Sequence, residues 1–173
     1  MLEEVILVDE KDQPIGLMEK QQAHVEGHLH RAFSVLVFNN KGEMLIHQRA
    51  LDKYHCGGLW SNACCSHPRE HETVMEAAQR RMVEEMGFTT TMKYIDSFIY
   101  KVEFDNGLIE HEYDHILVAH YNADPVPNPN EVADWKYLPV EEIKSDIKTT
   151  PEKYTFWFQE LTNTHLNKIL KYT

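Results

Sequence analysis

Two clusters of reactive side chains stand out in this 173-residue chain. The first is Trp60-Ser61-Asn62-Ala63-Cys64-Cys65-Ser66-His67-Pro68, followed by Glu72 and by Arg80-Arg81-Met82-Val83-Glu84-Glu85-Met86-Gly87. It sets a thiol and an imidazole just ahead of a stretch that ends in carboxylates, the components of a metal-assisted acid/base site. The second is Glu110 and Glu112, two residues apart and therefore on one face of any strand that carries them. Eleven histidines is a high count. Of these, His24, His30 and His67 join the two glutamates as a nitrogen and oxygen donor set suited to Mn²⁺, Mg²⁺ or Zn²⁺, provided the fold brings them together. His28, His47, His55, His71, His111, His115, His120 and His165 read as surface or packing residues. Arg80 with Glu84, and Arg81 with Glu85, are i, i+4 pairs, which alone describe a solvated helix face.

The elements that must position these groups are read from periodicity and turn chemistry. The apolar run 5–8, closed by Asp9-Glu10-Lys11-Asp12 and by Pro14 and Gly16, predicts a strand and then a turn. Segments 32–38 and 44–48 flank Asn39-Asn40-Lys41-Gly42 as a hairpin, and 50–62 reads as an irregular loop around Gly57-Gly58. Thr73 and Glu76 form a capping box, and Met75, Ala78, Met82 and Met86 recur at helical spacing as far as Gly87. A second hairpin, 94–103 and 108–121, turns at Asp105-Asn106-Gly107 and carries the paired glutamates. Three prolines break 124–130, a short strand covers 135–138, and Pro139 opens a short helix through Ile143. Thr150-Pro151 starts a longer helix with Tyr154, Trp157, Leu161, His165 and Ile169 on one face. Strand, hairpin, helix, hairpin, strand, helix is the order of an α/β (α+β) sandwich, a mixed sheet between helices in a single domain over 1–173.

Composition narrows the function classes. With 42% hydrophobic and 26% charged residues, and only 7 Gly and 7 Pro, the chain is neither disordered nor fibrous. A net charge of −11 disfavours nucleic acid and anionic membrane as partners, although a small anion can still be held by a local basic pocket. The start is acidic without a basic and apolar leader, and no apolar run reaches the roughly 20 residues of a membrane helix, so a cytoplasmic protein is expected. Three cysteines, two of them adjacent, are not a disulfide framework; free thiols in a reducing compartment follow. Oligomeric state is left open.

The spacing Glu-x7-Arg-x3-Glu-Glu-x-Gly from Glu72 to Gly87 is similar to the Nudix box, in which glutamates hold a divalent cation on a diphosphate. Ser66 stands where that box usually has glycine, and Arg81 where it has the central catalytic glutamate. Over nearly its whole length the chain resembles the type I isopentenyl diphosphate isomerases of the Nudix superfamily. The resemblance rests on Glu19-Lys20 with His24, Leu29-His30-Arg31-Ala32-Phe33-Ser34, Gln48-Arg49-Ala50 with Lys53, and Trp60-Ser61-Asn62 running into Cys65-Ser66-His67-Pro68. Arg80-Arg81 with Glu85, Glu110-His111-Glu112 and Trp157 complete it. An arginine at position 81 is itself expected in that family.

The resemblance implies a 1,3-allylic proton shift between isopentenyl and dimethylallyl diphosphate. In it, His24, His30, His67, Glu110 and Glu112 hold a divalent metal, while Glu85 holds a second cation, Mg²⁺, that arrives with the diphosphate. Glu112, assisted by Tyr100, protonates the terminal alkene carbon; Cys65 removes the C2 proton on the opposite face. Trp157 stabilises the tertiary carbocation between them, and Lys20, Arg49, Lys53 and Arg81 bind the diphosphate. Residues 18–30, read as irregular, are expected to close over the substrate as a lid. Two other readings compete: a Nudix hydrolase of a diphosphate derivative, which would release phosphate without needing Cys65, and a diphosphate- or metal-binding module without turnover.

Overall fold

The structure, a computed structural model, describes residues 3–53 and 55–173. Strand β1 (Glu4–Val8) turns into β2 (Pro14–Glu19), and helix α1 (Lys20–Glu26) leads to β3 (His30–Phe38), β4 (Glu43–Arg49) and the short strands β5 (Trp60–Asn62) and β6 (Cys64–Ser66). After helix α2 (Val74–Met86) come the long hairpin β7 (Met92–Glu103) and β8 (Ile109–His120), then β9 (Val132–Pro139) and α3 (Val140–Thr149). A 3₁₀ turn (Pro151–Lys153), α4 (Phe156–Glu160), a π-helical turn (Leu161–His165), α5 (Leu166–Ile169) and a last 3₁₀ turn (Leu170–Tyr172) finish the chain.

Strand β3 is the axis. It runs parallel to β8 from His30 opposite Glu112 to Phe38 opposite His120, and β8 pairs antiparallel with β7. On its other side β3 is shared: Val37 and Phe38 pair with β4, while 33–35 pair with β6. Strand β4 splays away toward β5 and β9, and the segment 60–66 crosses from β4 to β3, opening a crevice in the sheet.

Alternation along these strands gives the sheet two unlike faces. On one, Phe33, Val35, Val37, Leu117 and Ala119 meet Ala77, Ala78, Met82 and Met86 of α2. Helix α2 is built as its sequence demands, with a reciprocal Thr73/Glu76 box at its start and Gly87 at φ 75 closing it. A Cβ on Gly87 would drive into the Val126 carbonyl oxygen of the loop that folds over this helix end. On the other face, Leu36, Phe38, Ile116 and Val118 meet Ile143 and Ile147 of α3 and Trp157, Phe158 and Leu161 behind them. The mixed sheet between helices is therefore the expected architecture.

Five local expectations are corrected. Pro14 and Gly16 lie in strand β2, not in a turn; Pro14 is its first residue, where the missing N–H costs no ladder bond. The end of the 50–62 loop is strand β5, and 18–30, read as irregular, holds α1. Helix α3 runs on past Ile143 to Thr149 because Ile147 buries on the same face. The C-terminal helix is not continuous from Thr150: Thr155 donates its N–H to the Trp60 carbonyl at 2.9 Å, pinning 154–155 beside β5, and helix begins again at Phe156. Within it Thr162 Oγ donates to the Phe158 carbonyl at 2.6 Å, competing with the helical ladder where the π turn forms. Tyr154 thus precedes the helix and His165 is only half-buried, while Trp157, Leu161 and Ile169 face the core as expected.

Candidate active site

The crevice is lined from both sides of the split sheet. Helix α1 is a short stub held by the Glu19 carboxylate, which accepts from the N–H groups of Gln21 and Gln22 at 3.0 and 2.8 Å, and closed by Gly27 at φ 70. It turns His24 inward. Strand β3 begins with His30, His67 follows β6, and Glu112 lies on β8 opposite His30. One donor atom from each of His24, His30, His67 and Glu112 falls within 4.8 Å of the others, and all four residues are buried.

The residues present fit a divalent metal. His30 Nδ1 donates to the His28 carbonyl at 2.9 Å, so in the neutral ring Nε2 carries a lone pair, yet it faces Glu112 Oε1 at 3.5 Å. Two electron-rich atoms directed at one another in a dry site call for a cation between them. Burial, then the neighbouring His67 and His30, push His24 down to about 3; burial pushes His67 down to about 4, against the pull of Glu112. Both rings are therefore the neutral species that ligates. Burial raises Glu112, but its contacts with the His30 and His67 rings outweigh it and leave the carboxyl well below its usual range.

Glu110 is outside this group. Its Oε1 meets His55 Nε2 at 2.6 Å and its Oε2 lies 3.1 Å from Tyr100 OH. Burial and the charge of Glu112 raise its carboxyl. Tyr100 OH donates at 2.6 Å to Glu112 Oε2, so it joins both glutamates, and burial followed by those carboxylates raises its hydroxyl well above the usual value.

Cys65 lines the same cavity, of about 230 Å³, as do Trp157, Lys20, Arg49, Lys53, Arg81 and Glu85. Burial, then the nearby Asp114, raises the Cys65 thiol far above its usual value, more than the Ser34 and Asn62 hydrogen bonds lower it. Trp157 Nε1 donates to Ser61 Oγ at 2.9 Å, fixing the indole, and the Arg49 guanidinium carbon lies 5.4 Å from the ring centroid. The other cations meet carboxylates. Lys20 bonds Glu3 at 3.2 Å, Arg81 bonds Glu84 and Glu85 each at 2.6 Å, and Glu131 bonds Lys53 and lies 3.4 Å from Arg81.

The residues given catalytic, metal or substrate roles from the sequence thus gather at one crevice, whereas Glu72 pairs with Arg80 outside it. Sequence reasoning passed over His55 and His47, taken as packing residues, and Glu3, Glu131, Ser34 and Asp114. Asp114 was findable, since it extends the alternation Glu110, Glu112 by one step. Glu131 follows a three-proline loop and carries no local signal.

A protein-family profile described as the NUDIX domain matches residues 28–158, and fold and site together define a Nudix-domain protein. Solved structures agree on the fold: DR0079 from Deinococcus radiodurans superposes with a TM-score of 0.78 at 21% identity, covering 92% of this chain and 97% of that one. The MutT protein from Methanosarcina mazei Go1 gives 0.67 at 16% identity, covering 84% and 96%. Curated relatives named "Isopentenyl-diphosphate Delta-isomerase" are 49% identical in Pectobacterium atrosepticum, over 91% of this chain and 88% of the relative, and 48% identical in Burkholderia multivorans, over 91% and 90%. The chain belongs to the isopentenyl-diphosphate Delta-isomerase family.

Proposed function

We propose that this protein is an isopentenyl diphosphate isomerase, interconverting isopentenyl and dimethylallyl diphosphate by a protonation and deprotonation that moves the double bond through a tertiary carbocation. The observation that carries the reading is the meeting of Cys65, the Tyr100–Glu112 pair and the Trp157 ring in one small, largely buried cavity. Its mouth carries Lys53 and Arg81 for the diphosphate.

When bound by His24, His30, His67 and Glu112, a divalent cation supplies electrostatic polarisation of its ligands; Mn²⁺, Mg²⁺ and Zn²⁺ all suit that donor set, with Glu110 as an outer partner. Glu85 is the residue we assign to Mg²⁺ accompanying the diphosphate. Glu112 protonates the terminal alkene carbon, with Tyr100 orienting its Oε2 by the 2.6 Å hydrogen bond. Cys65 takes the C2 proton. The forward reaction starts from the Cys65 thiolate with Glu112 protonated and ends with the thiol and the Glu112 carboxylate. The electron-rich face of Trp157 stabilises the cation, a contact worth about 2 kcal/mol or more when desolvated. Lys20, Arg49, Lys53 and Arg81 hold the diphosphate charge. The partner is this small molecule, with no nucleic acid or membrane, and the three free thiols suit the cytoplasm. No helix among the described residues is long and apolar enough to cross a membrane.

Incubation with isopentenyl diphosphate and Mg²⁺ in D₂O, followed by NMR, tests the reading. Deuterated dimethylallyl product with the diphosphate intact is expected. Phosphate release without isomerisation would transfer the protein to the hydrolases, and binding without reaction would leave a binding module. Thermal shifts of metal-stripped protein with Mn²⁺, Mg²⁺ or Zn²⁺ rank the metals; a shift of the same size in His67→Ala would remove the histidine site.

A further inference from the structure

Trp157 stands on a short and interrupted helix. Helix α4 has five residues, no side-chain cap at Thr155, and runs straight into the π turn, so little in the helix itself fixes the angle of the indole. The ring is nevertheless buried, and the Arg49 guanidinium lies over it, so its face looks into the crevice. That angle is set from outside the helix.

Ser61 on β5 sets it. Its Oγ accepts from Trp157 Nε1 at 2.9 Å and from Thr155 Oγ1 at 3.1 Å, and donates to Asn62 Oδ1 at 3.1 Å. The partners dictate these directions. An indole N–H can only donate, and Asn62 Nδ2 donates to the Val35 and Cys64 carbonyls, each at 3.0 Å, which leaves Oδ1 to face Ser61 as an acceptor. A hydroxyl offers one proton and two lone pairs, and here all three are used. The string thus runs from the backbone of β3 and β6 through Asn62 and Ser61 to the indole, and no link in it titrates. Ser61 is 1% exposed and is not among the described residues that line the cavity, so it acts on the site only through what it holds.

We propose that Ser61 is a positioning residue for Trp157: its hydroxyl ties the indole to the strands that carry the site, so that the ring presents its electron-rich face, and not its positive edge, to the cationic carbon. The proposal rests on the isomerase reading for the cation, but not for how the ring is held. A ring released from this tie gives up part of the stabilisation of the cation and leaves the diphosphate contacts of Lys20, Lys53 and Arg81 in place. The loss therefore falls on kcat and not on KM.

The test uses Ser61→Ala and Trp157→Phe, singly and together. Ser61→Ala leaves the indole N–H, the Thr155 hydroxyl and the Asn62 oxygen without this partner and risks the fold. Ser61→Ala combined with Thr155→Val removes one of those groups, takes no side-chain cap from α4, and is read in the same way. Expected in Ser61→Ala are a kcat lower by about 10-fold, KM within about twofold of the parent, and an upfield shift of the Trp157 indole ¹H–¹⁵N cross-peak, identified by its absence in Trp157→Phe. In the Trp157→Phe background, which has no indole N–H to hold, Ser61→Ala is expected to cost less than about twofold more. The same loss in both backgrounds would mean that Ser61 acts elsewhere, as on Cys65 Sγ 4.0 Å away, and would overturn the proposal. A displaced cross-peak with unchanged kcat, or a cross-peak that does not move, would overturn it too. Should the parent protein show no isomerisation at all, the functional reading fails while the cross-peak still decides whether Ser61 holds the ring.

Discussion

The same three strands, β6, β3 and β8, present two faces that differ in nearly every physical respect. Toward α2 they show Cys64, Phe33, Val35, Val37 and Leu117, fully or almost fully buried and apolar. Toward the crevice they show Cys65, His30, Ser34, Glu110, Glu112 and Asp114, where burial has displaced ionisation in most of the titrating groups. The neighbouring thiols make the contrast within one dipeptide. Alternation lets a single stretch of backbone carry stability on one side and stored electrostatic work on the other.

Substitutions on the two faces should break stability and turnover separately. Glu112→Gln on the crevice face is expected to lower kcat by about 10²–10⁴-fold while far-UV circular dichroism stays that of the parent. Full activity would remove its role in proton transfer. Phe33→Ala on the dry face should cost about 3–5 kcal/mol in urea unfolding, with turnover per folded molecule unchanged. A large fall in turnover per folded molecule would mean the faces are coupled. The cysteines sharpen the comparison at smaller scale. Cys64→Ala should cost about 1–2 kcal/mol and keep activity, whereas Cys65→Ala should keep stability and lose activity.

The smallest effect lies at the exposed end of α2. The hydrogen bonds from Arg80, at 2.7 and 2.8 Å, lower the Glu72 carboxyl below its usual range. A folded value below the unfolded one means the contribution is complete above the unfolded carboxylate range and is lost as pH falls through the lowered value. Glu72→Gln should therefore lower stability slightly at neutral pH, leave it unchanged at strongly acid pH, and so shallow the acid limb of the stability curve. An identical acid limb would show that the Arg80 contact contributes nothing.

What the chain disclosed in advance follows the same division. Helix α2 and both hairpins were legible because the Thr73/Glu76 box, the Met spacing and the Asn39–Gly42 and Asn106-Gly107 turns are local signals. Strands β5 and β6 have three residues each, too few for a period, and α1 is seven residues capped by a glutamate, outside the usual capping set. In the site, His24, His30, Cys65 and Glu112 were marked by residue type and spacing and given their roles by resemblance, whereas His55 and Glu131 enter the crevice only because loops fold back onto it. Such contacts between distant segments leave no trace in spacing.

The ion pairs at the mouth bear on how substrate arrives. Lys20, Lys53 and Arg81 already meet Glu3, Glu131 and Glu85, so little unbalanced positive field reaches beyond the cavity, and the whole chain carries −11. A diphosphate approaching through solvent is repelled at long range and attracted only on contact. Its association should therefore speed up as added salt shortens the Debye length from about 30 Å at 0.01 M to 10 Å at 0.1 M, the reverse of an electrostatically steered enzyme.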